Sequence, residues 1–124
     1  MADCYIEVGG KEFEVELHNT VTARIIYDHL PLNGSVQRWG DEIFFDVALP
    51  AVTVEKSAQK KLAMGDLAFW VEGSSICLVF GKTPLSTNNE AISAKPINVF
   101  GRVLGDLTLL RDIQEGELIN ISKP

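Results

Sequence analysis

Residues 98–113 read NVFGRVLGDLTLLRDI, and this stretch says more about the fold than any other part of the chain. It begins as an apolar strand, turns at a glycine and ends in a short helix that closes at Asp112-Ile113. Asp106 is placed to cap this helix, because an aspartate side chain can accept hydrogen bonds from the free N–H groups of a first helical turn. The stretch therefore predicts a strand–turn–helix unit near the C-terminus.

The rest of the chain reads mainly as short strands. Phe13, Val15 and Leu17 alternate with glutamates, a pattern typical of a strand with one buried and one solvated face. Gly9-Gly10, just before this strand, suits the tight turn of a hairpin. Predicted strands cover residues 4–8, 13–17, 42–47, 52–55, 67–71, 76–80 and 118–121.

One further helix is predicted between the second and third strands. Asn19 or Thr20 can cap it, its apolar residues recur on one side over 21–30, and Pro31 ends it. Asn33-Gly34 then indicates a turn, and residues 82–96 read as a long stretch of low order. Short strands at near-regular spacing with two short helices favour a mainly β fold, a closed antiparallel β-barrel of about eight strands.

Length and charge limit the classes of function. The 124 residues are enough for one domain, 1–124, and too few for two. A net charge of −6 argues against binding to nucleic acid or anionic membranes, because both require a basic surface. No apolar run has the length of a signal peptide or a bilayer span. We therefore expect a cytoplasmic protein with no nucleic-acid or membrane partner.

The cysteines and histidines do not form a metal-binding pattern. Cys4 and Cys77 stand in apolar, strand-like contexts, where a free cysteine packs as a small hydrophobic residue. His18 and His29 have no second histidine or cysteine three or four positions away. The sequence predicts no metal and no cofactor, and it identifies no catalytic residue.

The order of motifs resembles that of the cyclophilins, the peptidyl-prolyl isomerases. VFGRV at 99–103 resembles their closing strand, GDLAFW at 65–70 their central strand, and SICLVF at 75–80 its partner. WGDEI at 39–43 and CLVFGKTP at 77–84 are similar to a small prokaryotic group of atypical, compact cyclophilin-like proteins without a settled activity. The resemblance spans nearly all of the sequence and implies a cyclophilin-like barrel.

The departures from that family predict that isomerase activity is absent or weak. Isomerisation must lower a barrier of ~18–20 kcal/mol about the peptide bond. Cyclophilins do so with an arginine directed at the prolyl nitrogen, from a strand that aligns with residues 41–45. That strand holds no arginine here, and Arg38 is the only basic group nearby. Other positions of the isomerase site are also replaced, by Ile76, Ile92, Ser93 and Ile97.

Two aromatic residues occupy strand faces opposite the predicted core. Phe44 stands between Glu42 and Asp46, and Trp70 lies out of phase with the core residues of its strand. An outward aromatic ring can form a binding surface, because it offers a large apolar contact with few rotamers to fix. Alternatively, a loop or helix covers each ring, and the ring contributes only to packing. Arg38 and Trp39 beside Glu42 can orient a polar ligand or form only a surface ion pair.

We interpret the chain as a cyclophilin-like binding module for a small molecule or a proline-containing peptide. One alternative is a non-isomerase enzyme acting on a small molecule in the barrel, with Arg38, Glu42 and Cys77 as polar groups converging in one cavity. Another is an interaction protein that oligomerises, for example as a homodimer, through its aromatic face. The predicted binding residues are Arg38, Trp39, Glu42, Phe44, Trp70, Leu78 and Phe80.

Overall fold

The computed structural model describes residues 2–86 and 91–124, which form ten β-strands and one α-helix. The helix α1 spans Val21–Asp28. The strands are β1 Cys4–Val8, β2 Lys11–Leu17, β3 Leu32–Ser35, β4 Gln37–Arg38, β5 Glu42–Asp46, β6 Gln59–Leu62, β7 Asp66–Trp70, β8 Ser75–Val79, β9 Ala91–Leu104 and β10 Leu118–Ser122. None of the helical structure within these ranges is long and apolar enough to cross a membrane.

The strands form an open antiparallel sheet, so the prediction of a closed barrel of about eight strands is wrong. The order is β3-β10-β1-β2-β9-β7-β8-β5-β4, with β6 pairing on β9 beside this path. The two end strands, β3 and β4, are not joined by a ladder in the described residues. Gly34 of β3 instead lies against a side chain of β5, since a Cβ at Gly34 would stand 2.9 Å from Phe45 Cδ2. β3 and β5 are thus in contact through a side chain, without a ladder between them.

The prediction of two helices is also wrong, because the described residues contain only α1 and one short 3-10 turn. α1 begins after Thr20, whose side chain accepts a hydrogen bond from the Ala23 N–H, as a capping residue does. The predicted second helix is reduced to the turn Leu107–Leu110, capped by Asp106. The Arg111 and Ile113 carbonyls accept hydrogen bonds from the Arg38 guanidinium, which draws this segment onto the sheet.

The long strand β9 joins two packed layers. Its second half pairs with β2 and β7 and sends Phe100 and Val103 into the main core. Its first half pairs with β6 and covers the opposite face of the sheet, where Ile97 belongs to a second, smaller apolar cluster. Part of the predicted low-order stretch is therefore strand from Ala91 onward, and residues 87–90 of that stretch lie outside the described residues.

Asn98, at the junction of these two halves, anchors the segment after β5. Its buried side-chain oxygen accepts a hydrogen bond from the Glu55 N–H at 2.9 Å, and its amide donates to the Thr53 carbonyl at 2.8 Å and to Thr22 Oγ1 at 3.1 Å. These bonds satisfy backbone groups that a ladder would otherwise pair. Residues 52–55, predicted as a strand, accordingly form no strand.

Candidate functional site

Strands β5, β7 and β8 send alternate side chains to two faces of the sheet. Phe45 and its neighbours on one face belong to the main core, and Phe44 points to the other. The register aligns Phe44, Cys77 and Ala68 in one row across the three strands. Trp70 pairs with Ser75 one step further along. Because the row is fixed by backbone ladders, these side chains share one rigid surface, here called the outer face.

A cavity of about 210 Å³ lies on the outer face and opens to solvent. Its floor and one wall come from the sheet, and the other wall comes from the first half of β9. Its lining is largely apolar and consists of Trp39, Glu42, Phe44, Trp70, Cys77, Ser93, Ala94 and Lys95. Four of the seven predicted binding residues therefore meet in one place.

The turn between β4 and β5 positions Trp39 and Glu42 side by side. The Trp39 N–H donates to the Glu42 carbonyl at 2.9 Å, and the Glu42 N–H donates to the Trp39 carbonyl at 3.2 Å. Gly40 lies between them with a φ of +62°, a conformation that favours glycine, and its approach to the Lys82 carbonyl leaves no room for a Cβ. Residues paired this way project to the same side of a hairpin. The WGDE sequence thus places an indole and a carboxyl together at one end of the cavity.

The Glu42 carboxyl is the main polar group of the cavity. The residue is only 6% exposed, and its carboxyl forms no hydrogen bond or ion pair with any residue that the structure describes. No fully buried side-chain oxygen in the described residues lacks a partner, so the exposed part of Glu42 includes its carboxyl oxygens, which face the open cavity. Burial raises the pKa of Glu42 from 4.5 to about 7, because the ionised form loses the water that would stabilise it. Near neutral pH this group is therefore close to half ionised and can either donate or accept a hydrogen bond.

Cys77 lies beside Glu42 in the cavity, but its thiol is not activated. Burial and the neighbouring Glu42 charge raise the pKa of Cys77 well above its usual value. The reactive form of a cysteine is the thiolate, so a protonated thiol in this environment is a poor nucleophile. Its Sγ donates weakly to the Ser75 carbonyl at 3.9 Å. Cys77 therefore contributes a polarisable contact surface to the cavity and is not a reactive group.

Trp70 is held in place by a close approach to Gly73 in the turn between β7 and β8. A Cβ at Gly73 would lie 2.2 Å from Trp70 Cε3, so only a glycine leaves room for the indole ring in this position. The ring also packs against the smaller apolar cluster on the outer face. One side of Trp70 is therefore fixed by the protein, while the residue as a whole stays half-buried.

Arg38 does not line the cavity. Its guanidinium donates to the Arg111 and Ile113 carbonyls, both at 2.9 Å, and to the Gly40 carbonyl at 3.0 Å. It also pairs with Asp41 at 3.2 Å and lies 5.2 Å from the centre of the Phe80 ring. These contacts tie the segment after the 3-10 turn to the β4–β5 hairpin, which is a structural role.

Leu78 and Phe80 belong to the main core and are not among the residues that line the cavity. Their positions follow from strand alternation, since Cys77 occupies the outer face of β8 and its neighbours must point inward. Ser93, Ala94 and Lys95 line the cavity but were not predicted. They lie in a segment that reads as a loop, and its pairing with β6 depends on contacts across the chain.

Comparison with known proteins links this chain to a family. A model of the family described as Cyclophilin-like matches residues 3–122. A hypothetical protein from Archaeoglobus fulgidus, solved in solution, superposes with a TM-score of 0.80 at 34% sequence identity, covering 98% of this chain and 93% of that one. No curated protein matches the chain significantly. The resemblance predicted from the motifs is confirmed. The archaeal relative is described only as a hypothetical protein, so it indicates no ligand or reaction for this chain.

Proposed function

The chain belongs to the cyclophilin-like family, and we propose that it binds a small ligand or a proline-containing peptide in the outer-face cavity, with prolyl isomerase activity absent or weak. One observation carries the proposal: a nearly buried carboxyl without a protein partner stands in a cavity with aromatic walls. Its oxygens touch the solvent of the cavity, since no fully buried side-chain oxygen in the described residues lacks a partner, so a ligand that enters the cavity can reach them. A ligand group that pairs with the carboxyl would offset the cost of holding a charge in a mostly apolar pocket.

The size and lining of the cavity support a compact, mainly apolar group as its occupant. Its volume of about 210 Å³ is smaller than that of pockets for drug-sized ligands, which begin near roughly 300 Å³. A single small ring, such as a proline side chain, is compatible with this space. Trp39, Phe44 and Trp70 offer large apolar contacts, and Glu42 can orient the polar end of the ligand.

The position of the basic groups supports weak or absent isomerisation. The arginine that the cyclophilin resemblance implies is missing from β5, and Arg38 is bound to backbone carbonyls away from the cavity. Lys95, the basic residue in the lining, is exposed at the rim. The enzyme alternative needs Arg38, Glu42 and Cys77 to converge, and Arg38 does not join the other two.

Nuclear magnetic resonance shift mapping of the full chain with an Xaa-Pro peptide tests the binding proposal. We expect shifts at residues 39–44, 70, 77 and 93–95. The protein has two tryptophans, Trp39 and Trp70, and both line the cavity, so its intrinsic fluorescence should change in parallel. Phe44→Ala should weaken binding, whereas Tyr5→Ala, which removes a half-buried aromatic on β1 away from the cavity, should not.

Two results would overturn the proposal. Shifts confined to residues outside the cavity would remove the assignment of the site. An isomerase assay on the same peptide should give a rate close to the uncatalysed one, and a rate like that of ordinary cyclophilins would refute the argument from the missing arginine. Light scattering adds a check on the oligomer alternative, which predicts a dimer in which the tryptophans do not respond to any ligand.

A further inference from the structure

We propose that the ligand of this cavity carries a small organic ammonium group, held by the Glu42 carboxylate and the aromatic side chains around it. These aromatic side chains are Trp39, Phe44 and Trp70. The inference rests on the proposed function above, since it specifies the chemistry of the occupant of the same cavity. Its test is designed so that the ammonium inference can fail while the binding proposal survives.

The first step of the argument is the missing counter-charge. Glu42 has no cationic or hydrogen-bonding partner in the described residues, although more than nine-tenths of its side chain is buried. The oxygens of this carboxyl are in contact with the solvent of the cavity, and no fully buried side-chain oxygen in the described residues lacks a partner. A charge in such a mostly apolar pocket is only partly solvated, and a cation placed beside it offsets that cost. An occupant with a positive charge therefore complements this cavity better than a neutral molecule or an anion.

The second step is the aromatic lining. A cation near the face of an indole or phenyl ring is attracted by the negative charge density of the ring, and this attraction is strongest where water is excluded. Three aromatic side chains around a single carboxyl suit an alkylated ammonium, whose methyl or methylene groups also gain apolar contact. A neutral hydrocarbon of equal shape gains only the apolar part.

The third step excludes a metal ion as the preferred occupant. Among residues 2–86 and 91–124, no cluster of three histidine, cysteine or acidic side chains could hold a metal. Calcium takes six to eight oxygen ligands, and magnesium keeps a complete octahedral shell. One carboxyl among aromatic side chains provides too few oxygen ligands for either metal ion. An organic ammonium needs only one carboxylate as its counter-charge.

The charged groups around Glu42 set the pH dependence. The cavity also contains Cys77 on β8, a thiol that stays protonated, and Lys95 on β9, a positive charge at the rim. The Arg38–Asp41 pair lies on the same β4–β5 hairpin as Glu42, and the Arg38 guanidinium is turned toward the segment after the 3-10 turn. Burial raises the pKa of Glu42 to about 7, so the carboxylate that attracts the cation is scarce at pH 6 and dominant at pH 8. Affinity should then rise about tenfold over these two pH units, since it scales with the competent fraction.

The test compares two probes of the same shape, choline and its neutral analogue 3,3-dimethyl-1-butanol, by shift mapping on the full chain at pH 6 and pH 8. At pH 8 we expect choline to bind at least about tenfold more tightly than the neutral probe, the ratio that a cation–aromatic contact plus a carboxylate can supply. Glu42→Gln should remove this preference and the pH dependence, while keeping the shape of the cavity. Lys95→Gln should strengthen choline binding by removing a like charge at the rim.

Glu14→Gln is the matched control. It removes one carboxylate from the solvated face of β2, so it changes the net charge by the same amount without touching the cavity. Equal binding of the two probes at pH 8, or a choline preference that persists in Glu42→Gln, would overturn the ammonium inference. If an Xaa-Pro peptide still shifts the cavity residues in that case, the proposed binding function stands. If neither probe nor peptide reaches the cavity, both proposals fall.

Discussion

The two faces of β5 are built from neighbouring residues that have opposite surroundings. Phe45 is 1% exposed and packs in the main core against Gly34 of β3. Phe44, the preceding residue, is only half-buried and lines an open cavity. Both are phenylalanines on the same strand, so residue type does not explain the contrast, and alternation explains only why they point to opposite faces. What differs is the cover that the rest of the chain supplies to each face.

This contrast separates the scaffold from the site. The inner face is closed on all sides by strands, by α1 and by the segment after the 3-10 turn. In the described part of the chain, β6 and the first half of β9 cover the outer face and leave a gap above Glu42, Phe44 and Trp70. The gap is open to solvent, so it does not carry the penalty of a closed void in a packed core. The gap lies where the polar and aromatic side chains are concentrated.

The largest expected effect is a difference in the free energy of unfolding between Phe45→Ala and Phe44→Ala. Truncating the fully buried ring should lower the free energy of unfolding by about 3–5 kcal/mol, the usual loss for a core phenylalanine. Truncating its half-exposed neighbour should cost about 1 kcal/mol, because part of the ring already faces solvent and no closed void forms. Urea unfolding of both variants, followed by far-ultraviolet circular dichroism, measures the two values.

The same pair should behave in reverse toward the ligand. Phe44→Ala should lose peptide binding while it stays folded. Phe45→Ala should bind the peptide with nearly the affinity of the natural chain under conditions in which the variant is folded. Equal destabilisation by the two variants would contradict the distinction between the faces, since it would mean that the outer face is packed as tightly as the core.

A second prediction concerns the pH dependence of stability that Glu42 imposes on the outer face. Its pKa is raised from 4.5 to about 7 in the folded protein, so unfolding at intermediate pH releases a proton. Below pH 4.5 the group is protonated in both states and has no effect. Between pH 4.5 and 7 stability falls as pH rises, and above pH 7 the loss is constant, at about 3 kcal/mol.

Glu42→Gln isolates this contribution, because the amide stays neutral at every pH. Relative to the natural chain, the variant should gain about 3 kcal/mol between pH 4 and pH 8, measured as the difference of two urea unfolding curves at each pH. Glu14→Gln, on the solvated face of β2, should show no comparable trend. A parallel pH profile for the natural chain and Glu42→Gln would mean that water or another group stabilises the carboxylate.

The sequence predicted the inner face better than the outer one. Alternation along β2, β5 and β7 identified core side chains, because a strand has only two faces and a large apolar residue marks the buried one. At β8 and the residue that follows it, the prediction placed Leu78 and Phe80 in the binding site, whereas both belong to the main core. Sheet closure could not be read in the same way, since it depends on whether the end strands β3 and β4 pair, which alternation within one strand does not show. The Asn33-Gly34 pair, read as a turn, is part of β3, because pairing with β10 overrides a local turn preference.

The cavity was predictable only on its sheet side. Trp39, Glu42, Phe44 and Trp70 carry a local signal, namely polar and aromatic residues out of phase with the core. Residues 93–95 carry no such alternation signal, because their position depends on β6, whose QKKL sequence lacks an alternating pattern. The cyclophilin resemblance did mark position 93 as part of the isomerase site, but only as a replaced position. The position of Arg38 could not be predicted for a related reason, because two of its carbonyl partners, Arg111 and Ile113, lie more than seventy residues away in the chain.

The smallest expected effect comes from Gly73→Ala, which changes only the contact that positions Trp70. The backbone of Gly73 does not have a positive φ, so an alanine is not strained there, but its Cβ would overlap the indole ring at 2.2 Å. The half-exposed ring can shift toward the cavity, so the expected loss is only about 1 kcal/mol, at the low end for overpacking. Tryptophan emission should change and affinity for the peptide should fall. In a Trp70→Ala background the glycine change should cost almost nothing, and a cost that persists there would place the strain elsewhere in the turn.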